Sequence, residues 1–204
     1  MRRALLLAAF GPLLLAQAPI TTFTEDFFNG DRRKILRAMG DATRELKPRD
    51  AKYLAECGRA YLAATDKTRA SETFKLAEAL EPKDGRVLRL IAQAWLKHGY
   101  RTEALEAYEL VMTRDPGNKD ATMDCAIDLA EAGMVAQSEK FMNHFLAMEG
   151  SKWEAFVAFG KALLVSGQRK KASPWFARAI AVKPKEEKVY MEIARAFAET
   201  QSVI

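Results

Sequence analysis

The side chains with the widest chemical repertoire are scarce in this chain. There are two histidines, His98 and His144, and two cysteines, Cys57 and Cys125. An imidazole can move protons or hold a metal near neutral pH, and a thiolate can attack an electrophile. Each role needs a partner at fixed spacing, such as a second ligand on the same helix face or a base beside the nucleophile. Neither histidine has a second histidine at ligand spacing. The sequence contains no HExxH, no CxxC and no glycine-rich phosphate loop. His98 precedes Gly99 at an expected helix end, where a partly charged imidazole would suit the carbonyl end of the helix dipole. His144 falls in the middle of an expected helix. The expectation is a non-enzymatic chain with no catalytic residue, no metal site and no cofactor.

The elements that hold these residues follow from a repeat. Pro48, Pro82 and Pro116 stand 34 residues apart, and the next two steps reach Gly150 and Pro184. Leu54, Leu88, Thr122 and Phe156 form a column at the same step, and Gly58, Ala92, Ala126 and Gly160 form a column of small residues. Tyr61, Trp95, Leu129 and Leu163 are bulky. Ala70, Ala104, Ser138 and Ala172 are small, Phe74, Tyr108, Met142 and Phe176 bulky again. Ala77, Val111, Phe145 and Ala179 complete the set.

Within the first unit Leu54, Cys57, Gly58 and Tyr61 share one face of a helix, and Ala70, Phe74 and Ala77 share one face of a second. Small residues let the two helices approach, and the aromatic rings fill the space beside them. Gly99, Gly133 and Gly167 recur where the first helix must end in a left-handed residue; Thr65 stands there in the first unit. The proline closes the second helix, because it cannot continue one. A single hairpin cannot bury its own apolar face, whereas a stack of them can.

In these columns, over residues 51–184, the chain resembles the tetratricopeptide repeat (TPR) family. The resemblance implies an all-α, right-handed α-solenoid of stacked antiparallel helix pairs. The units would be 51–84, 85–118, 119–152 and 153–186. The third departs most, at Thr122, Ser138, Met142, Phe145 and Gly150. Residues 186–204 read as a capping helix and tail, with Val189, Tyr190, Ile193, Ala194 and Phe197 on one apolar face. Residues 19–50 read either as a lone cap helix or as a degenerate leading repeat, with Ile20, Phe23 and Phe27 one period before Leu54, Cys57 and Tyr61.

Residues 1–18 have the form of an address. Arg2 and Arg3 precede an apolar run from Ala4 to Ala16, and Ala16-Gln17-Ala18 supplies small residues around a polar one. That is the pattern of a secretory signal peptide. The run contains Gly11-Pro12 and is shorter than the ~20 residues a membrane span needs. Export to a bacterial periplasm is the expectation, with an uncleaved inner-membrane anchor as the alternative. Charge adds little beyond this. The 204 residues carry +5, and setting Arg2 and Arg3 aside leaves +3. A nucleic-acid binder would concentrate positive charge on one face, so no nucleic acid is expected. The 35 alanines favour helix. Arg32-Arg33-Lys34 and Arg169-Lys170-Lys171 begin expected helices, where positive charge opposes the dipole. They read as solvated starts, with contact to anionic lipid or an acidic partner as the weaker reading.

What remains for function is surface. By the family resemblance, the first helix of each unit lines a concave groove. Lys52, Arg59, Arg86, Arg89, Gln93 and Lys97 would line it in the first two units. Asp120, Met123, Asp124, Ile127 and Glu131 would follow in the third, and Val157, Lys161 and Leu164 in the fourth. A basic wall suits an acidic peptide or another protein. The terminal-carboxylate clamp of some family members is not reproduced, since Ala55 and Arg59 occupy its first two places. The expected role is a protein-binding scaffold, a monomer or weak homo-oligomer. The alternatives are a self-assembling module and a stoichiometric chaperone. Cys57 and Cys125 share a column two units apart, beyond the ~7 Å Cα reach of a disulfide. Mass measurement should therefore show alkylation of both thiols only after denaturation; an intramolecular bridge would contradict the register.

Overall fold

The computed structural model describes residues 50–201. The expected leader over 1–18, the segment over 19–49 and the basic run at 32–34 lie outside the described residues. Among the described residues there are nine helices and no strand. They are α1 (Ala51–Ala63), α2 (Lys67–Leu80), α3 (Gly85–Lys97), α4 (Arg101–Arg114) and α5 (Lys119–Glu131), followed by α6 (Val135–Glu149), α7 (Trp153–Val165), α8 (Arg169–Val182) and α9 (Glu187–Gln201). The chain forms two compact units, one through Leu105 and one from Glu106, with the boundary inside α4. In the first, α1 packs on α2 and on α3; in the second, α5 packs on α6 and α7, and α7 on α8 and α9. The fold is all-α, and within each unit the helix pairs stack in chain order as in a helical repeat.

Each first helix ends in the same way. Thr65, Gly99, Gly133 and Gly167 have φ of 60°, 82°, 72° and 74°. Around each, two backbone N–H groups reach back over the last turn. Thr65 N donates to Leu62 O at 2.8 Å and Asp66 N to Tyr61 O at 2.8 Å. Gly99 and Tyr100, Gly133 and Met134, and Gly167 and Gln168 repeat the pair. This is the Schellman closure, which satisfies carbonyls that the helix end leaves over. Thr65 adopts the glycine conformation despite a branched β-carbon, at a strain of about 1–2 kcal/mol.

The starts are less uniform. Asp50 accepts from the N–H groups of Lys52 and Tyr53, Asp84 from those of Arg86 and Val87, and Asn118 from that of Ala121. Asp66 does the same for Arg69 at the start of α2. At Met134, Lys152 and Gln168 no side chain caps α6, α7 or α8. A cap contributes about 1 kcal/mol. Pro174 sits inside α8, where it is exposed and removes one backbone donor.

All six columns are buried, no member more than 6% exposed among those with an apolar side chain. The tightest point is the column of small residues. A β-carbon on Gly160 would lie 2.6 Å from the Phe176 ring, and the Phe74 ring fills the corresponding space at Gly58. Phe74 in turn meets Trp95 edge-on, with centroids 5.1 Å apart. The third unit keeps the columns buried, but Thr122 Oγ1 has no hydrogen-bond partner among the described residues, whereas Ser138 Oγ donates to Val135 O at 2.8 Å.

The last helix departs from expectation. Val189 is buried, but Tyr190 is 46% exposed, Ala194 is exposed, and Ile193 and Phe197 are half-buried. Ala196, not expected in the core, is buried. The helix packs on α7, and its apolar residues divide between a buried side, at Val189 and Ala196, and an exposed one, at Tyr190 and Ala194.

Two substitutions separate the constraints by urea unfolding. Gly160→Ala should destabilise by about 1–3 kcal/mol, because overpacking against Phe176 outweighs the ~1 kcal/mol helix-propensity gain. Thr65→Gly should stabilise by about 1 kcal/mol by relieving the left-handed strain.

Candidate partner-binding surface

The residues expected on the first helices lie opposite the buried columns. In the first unit Lys52, Arg86, Gln93 and Lys97 are exposed, and Arg59 and Arg89 are half-buried. All six belong to α1 and α3, which pack side by side. Arg59 is not an isolated cation: its Nε donates to Glu56 Oε2 at 2.8 Å, one turn earlier on the same helix. Arg89, Gln93 and Lys97 are each engaged by a neighbouring group as well. The face is therefore basic in balance, with Glu56 built into it beside Arg59.

In the second unit Met123, Ile127 and Lys161 are half-buried, as is Asp124, while Asp120 and Glu131 are exposed. Val157 and Leu164 were expected to face a groove, but the fold buries them, at 7% and 9% exposure. The cause is α9, which packs on α7. Its arrival creates an open cleft of about 370 Å³, with Trp153, Val157 and Lys161 on one wall and Lys188, Glu192 and Arg195 on the other.

One ion pair joins α7 to α9 beside the cleft. Lys161 forms an ion pair with Glu199, and Arg195 Nη1 donates to Glu192 Oε1 at 2.8 Å. Hydrogen bonding and charge from Lys161 hold the Glu199 carboxyl below its usual range. Lys188 Nζ lies 5.9 Å from the Trp153 ring centroid. Trp153, Lys188, Glu192, Arg195 and Glu199 were not anticipated, although the signal was present. The 34-residue step from Lys52 and Arg86 reaches Lys188, and from Arg59 and Lys161 it reaches Arg195. Reading 186–204 only as a cap stopped the register one helix short.

The remaining chemistry-bearing groups are explained by packing. His98 is the C-cap residue of α3. The expected partly charged imidazole is corrected, because burial, then Lys97 and Arg59, push its pKa down and favour the neutral ring. His144 Nε2 lies 3.0 Å from Pro116 O. Cys57 and Cys125 are buried free thiols. Among the described residues no three His, Cys, Asp or Glu side chains gather at a metal site. Arg169 opens α8 against its dipole, yet its guanidinium lies 5.2 Å from the Phe197 ring centroid, a favourable contact. No described helix is long and apolar enough to cross a membrane.

Fold and surface together define a helical-repeat protein with polar faces on its first helices. No protein-family model matches the chain, and no curated protein matches it.

Burial pushes the Cys57 thiol from its ordinary 9.0 up to about 12. Between those values the unfolded chain releases the thiol proton first, so rising pH favours unfolding. The urea midpoint should fall more steeply from pH 9 to about 10.5 in the parent than in Cys57→Ala; equal slopes would contradict the assignment.

Proposed function

We propose that this chain is an exported, TPR-type protein-binding scaffold without enzymatic activity, docking a segment of another envelope protein on the faces of its first helices. One observation carries the reading. Side chains that the packing does not need recur at the 34-residue step and remain at the surface, from Lys52 and Arg86 to Glu154 and Lys188. Within either unit, side chains on adjacent first helices meet an extended or helical peptide at several points, with little ordering cost on their own side. The basic balance of α1 and α3 favours an acidic segment and a fast, salt-sensitive encounter. The signal-like residues 1–18 support a periplasmic setting, and no nucleic acid, metal or cofactor enters the proposal.

The test begins with crosslinking in the native bacterial envelope and identification of the protein joined to α1 or α3. The affinity of that protein is then measured for the parent and for Arg86→Glu combined with Arg89→Glu. Reversing two charges should weaken binding by at least ~10-fold, with helicity and melting temperature nearly unchanged. Unaltered affinity would remove the basic-face reading.

A further inference from the structure

From Ala155 to Lys185 the sequence holds seven Lys and Arg residues and no Asp or Glu; Glu186 and Glu187 end the stretch. Six of the seven, Arg169, Lys170, Lys171, Arg178, Lys183 and Lys185, belong to α8 and the turn after it, and all six are exposed. Elsewhere in the second unit exposed cations are answered by carboxylates. Lys119 and Lys152 meet Glu149, Lys140 meets Glu109, and Arg195 meets Glu192. Among the described residues none of the six forms an ion pair. Arg169 and Arg178 lie over rings instead, Arg178 at 4.6 Å from the centroids of Trp175 and Phe156. A ring contact leaves the charge in place. The helix also divides cleanly. Ala172, Trp175, Phe176 and Ala179 are buried, while Lys170, Lys171, Pro174, Ala177, Arg178 and Ala181 are exposed on the opposite side. The outer stripe is a row of cations spaced by small side chains, about 20 Å long from Lys170 to Lys183.

We propose that this outer face of α8, with the turn after it, docks on an anionic lipid bilayer. Charge complementarity carries the proposal: unpaired cations on one face meet a plane of negative headgroups. The make-up of the stripe favours a bilayer over an acidic protein. A protein partner is held by positioned polar pairs and by side chains set in a packed core. The stripe offers no carboxylate, amide or hydroxyl, only cations on long stems between Pro174, Ala177 and Ala181. A layer of like-charged headgroups needs no positioned partner, and clusters of roughly four to eight Lys or Arg on one helix suit it. The apolar run over 4–16 favours a bilayer over nucleic acid, because it brings the chain to a membrane whether it is cleaved or kept as an anchor. That one step rests on the export reading above. The stripe carries no large apolar side chain, so the contact is electrostatic and stays at the headgroups. It uses none of the first-helix residues assigned to the protein partner.

The test is co-sedimentation of the full chain with vesicles. One set is phosphatidylcholine alone, and the other carries about 30% phosphatidylglycerol. Any contribution of the apolar run over 4–16 is common to both sets, so the difference between them reports the basic face. Partition should be at least ~20-fold stronger on the anionic vesicles at about 0.1 M salt and fall toward the neutral level at about 0.5 M. Lys170→Glu combined with Lys171→Glu should weaken the anionic binding at least ~10-fold with helicity unchanged, and Lys183→Glu combined with Lys185→Glu should do the same. Lys75→Glu combined with Lys83→Glu makes the same change in net charge at exposed sites of the first unit and should cost less than ~3-fold. Equal binding to both vesicle sets overturns the proposal. So does anionic binding that survives both α8-side pairs, or an equal loss in the first-unit control. Tighter binding to polyglutamate or to DNA at equal anion concentration gives the face to another partner and overturns it too. Cell fractionation tests export separately, so the lipid proposal and the export reading fail on different measurements.

Discussion

A ring pressed against a helix backbone governs the architecture. At Gly58 and Gly160 the second helix comes so close that its phenylalanine occupies the space of a β-carbon. That proximity demands a short reversal, and the left-handed residue after each first helix supplies it. With hairpin geometry set at both ends, each hairpin presents bulky side chains such as Trp95 and Phe74 toward its neighbour. Stacking then follows from burial, because no hairpin can hide its apolar faces alone. Where Ala126 replaces glycine in the second unit, Met142 is still fully buried, so the seam accepts more than one pair of shapes.

Much of this was legible from spacing. Proline, glycine and small residues mark the period because each meets a backbone demand that few other residues meet. Thr65 shows the limit of such reading: it departs from glycine in type, yet the backbone imposes the glycine conformation. The register of neighbouring turns was the better guide. Thr122, Ser138 and Met142 weakened the third unit on paper, but their small or flexible side chains fit the buried columns, at the cost of one orphan hydroxyl at Thr122.

The surface was less legible, for a physical reason. A core position is dictated by volume, so its residue type carries information. An exposed position tolerates many residues, and its meaning depends on neighbours distant in sequence. Lys161 was foreseen, but not its ion pair with Glu199, 38 residues away. Arg59 was foreseen on the groove wall, but not its ion pair with Glu56. Val157 and Leu164 were misplaced because a helix read as a cap packs as a further member of the series. The resulting face is best described by its pairs rather than by its net charge.

The uneven starts of the helices bear on how the molecule breathes. α1, α3 and α5 each begin under an aspartate or asparagine that holds the first amides. α6, α7 and α8 begin without a side chain that caps them. Transient loosening therefore has a preferred entrance at these ends, even where the interior is fully packed. Deuterium would enter the second unit at its helix starts before it reached the aromatic seam, so local fluctuation follows the pattern of caps and not that of burial.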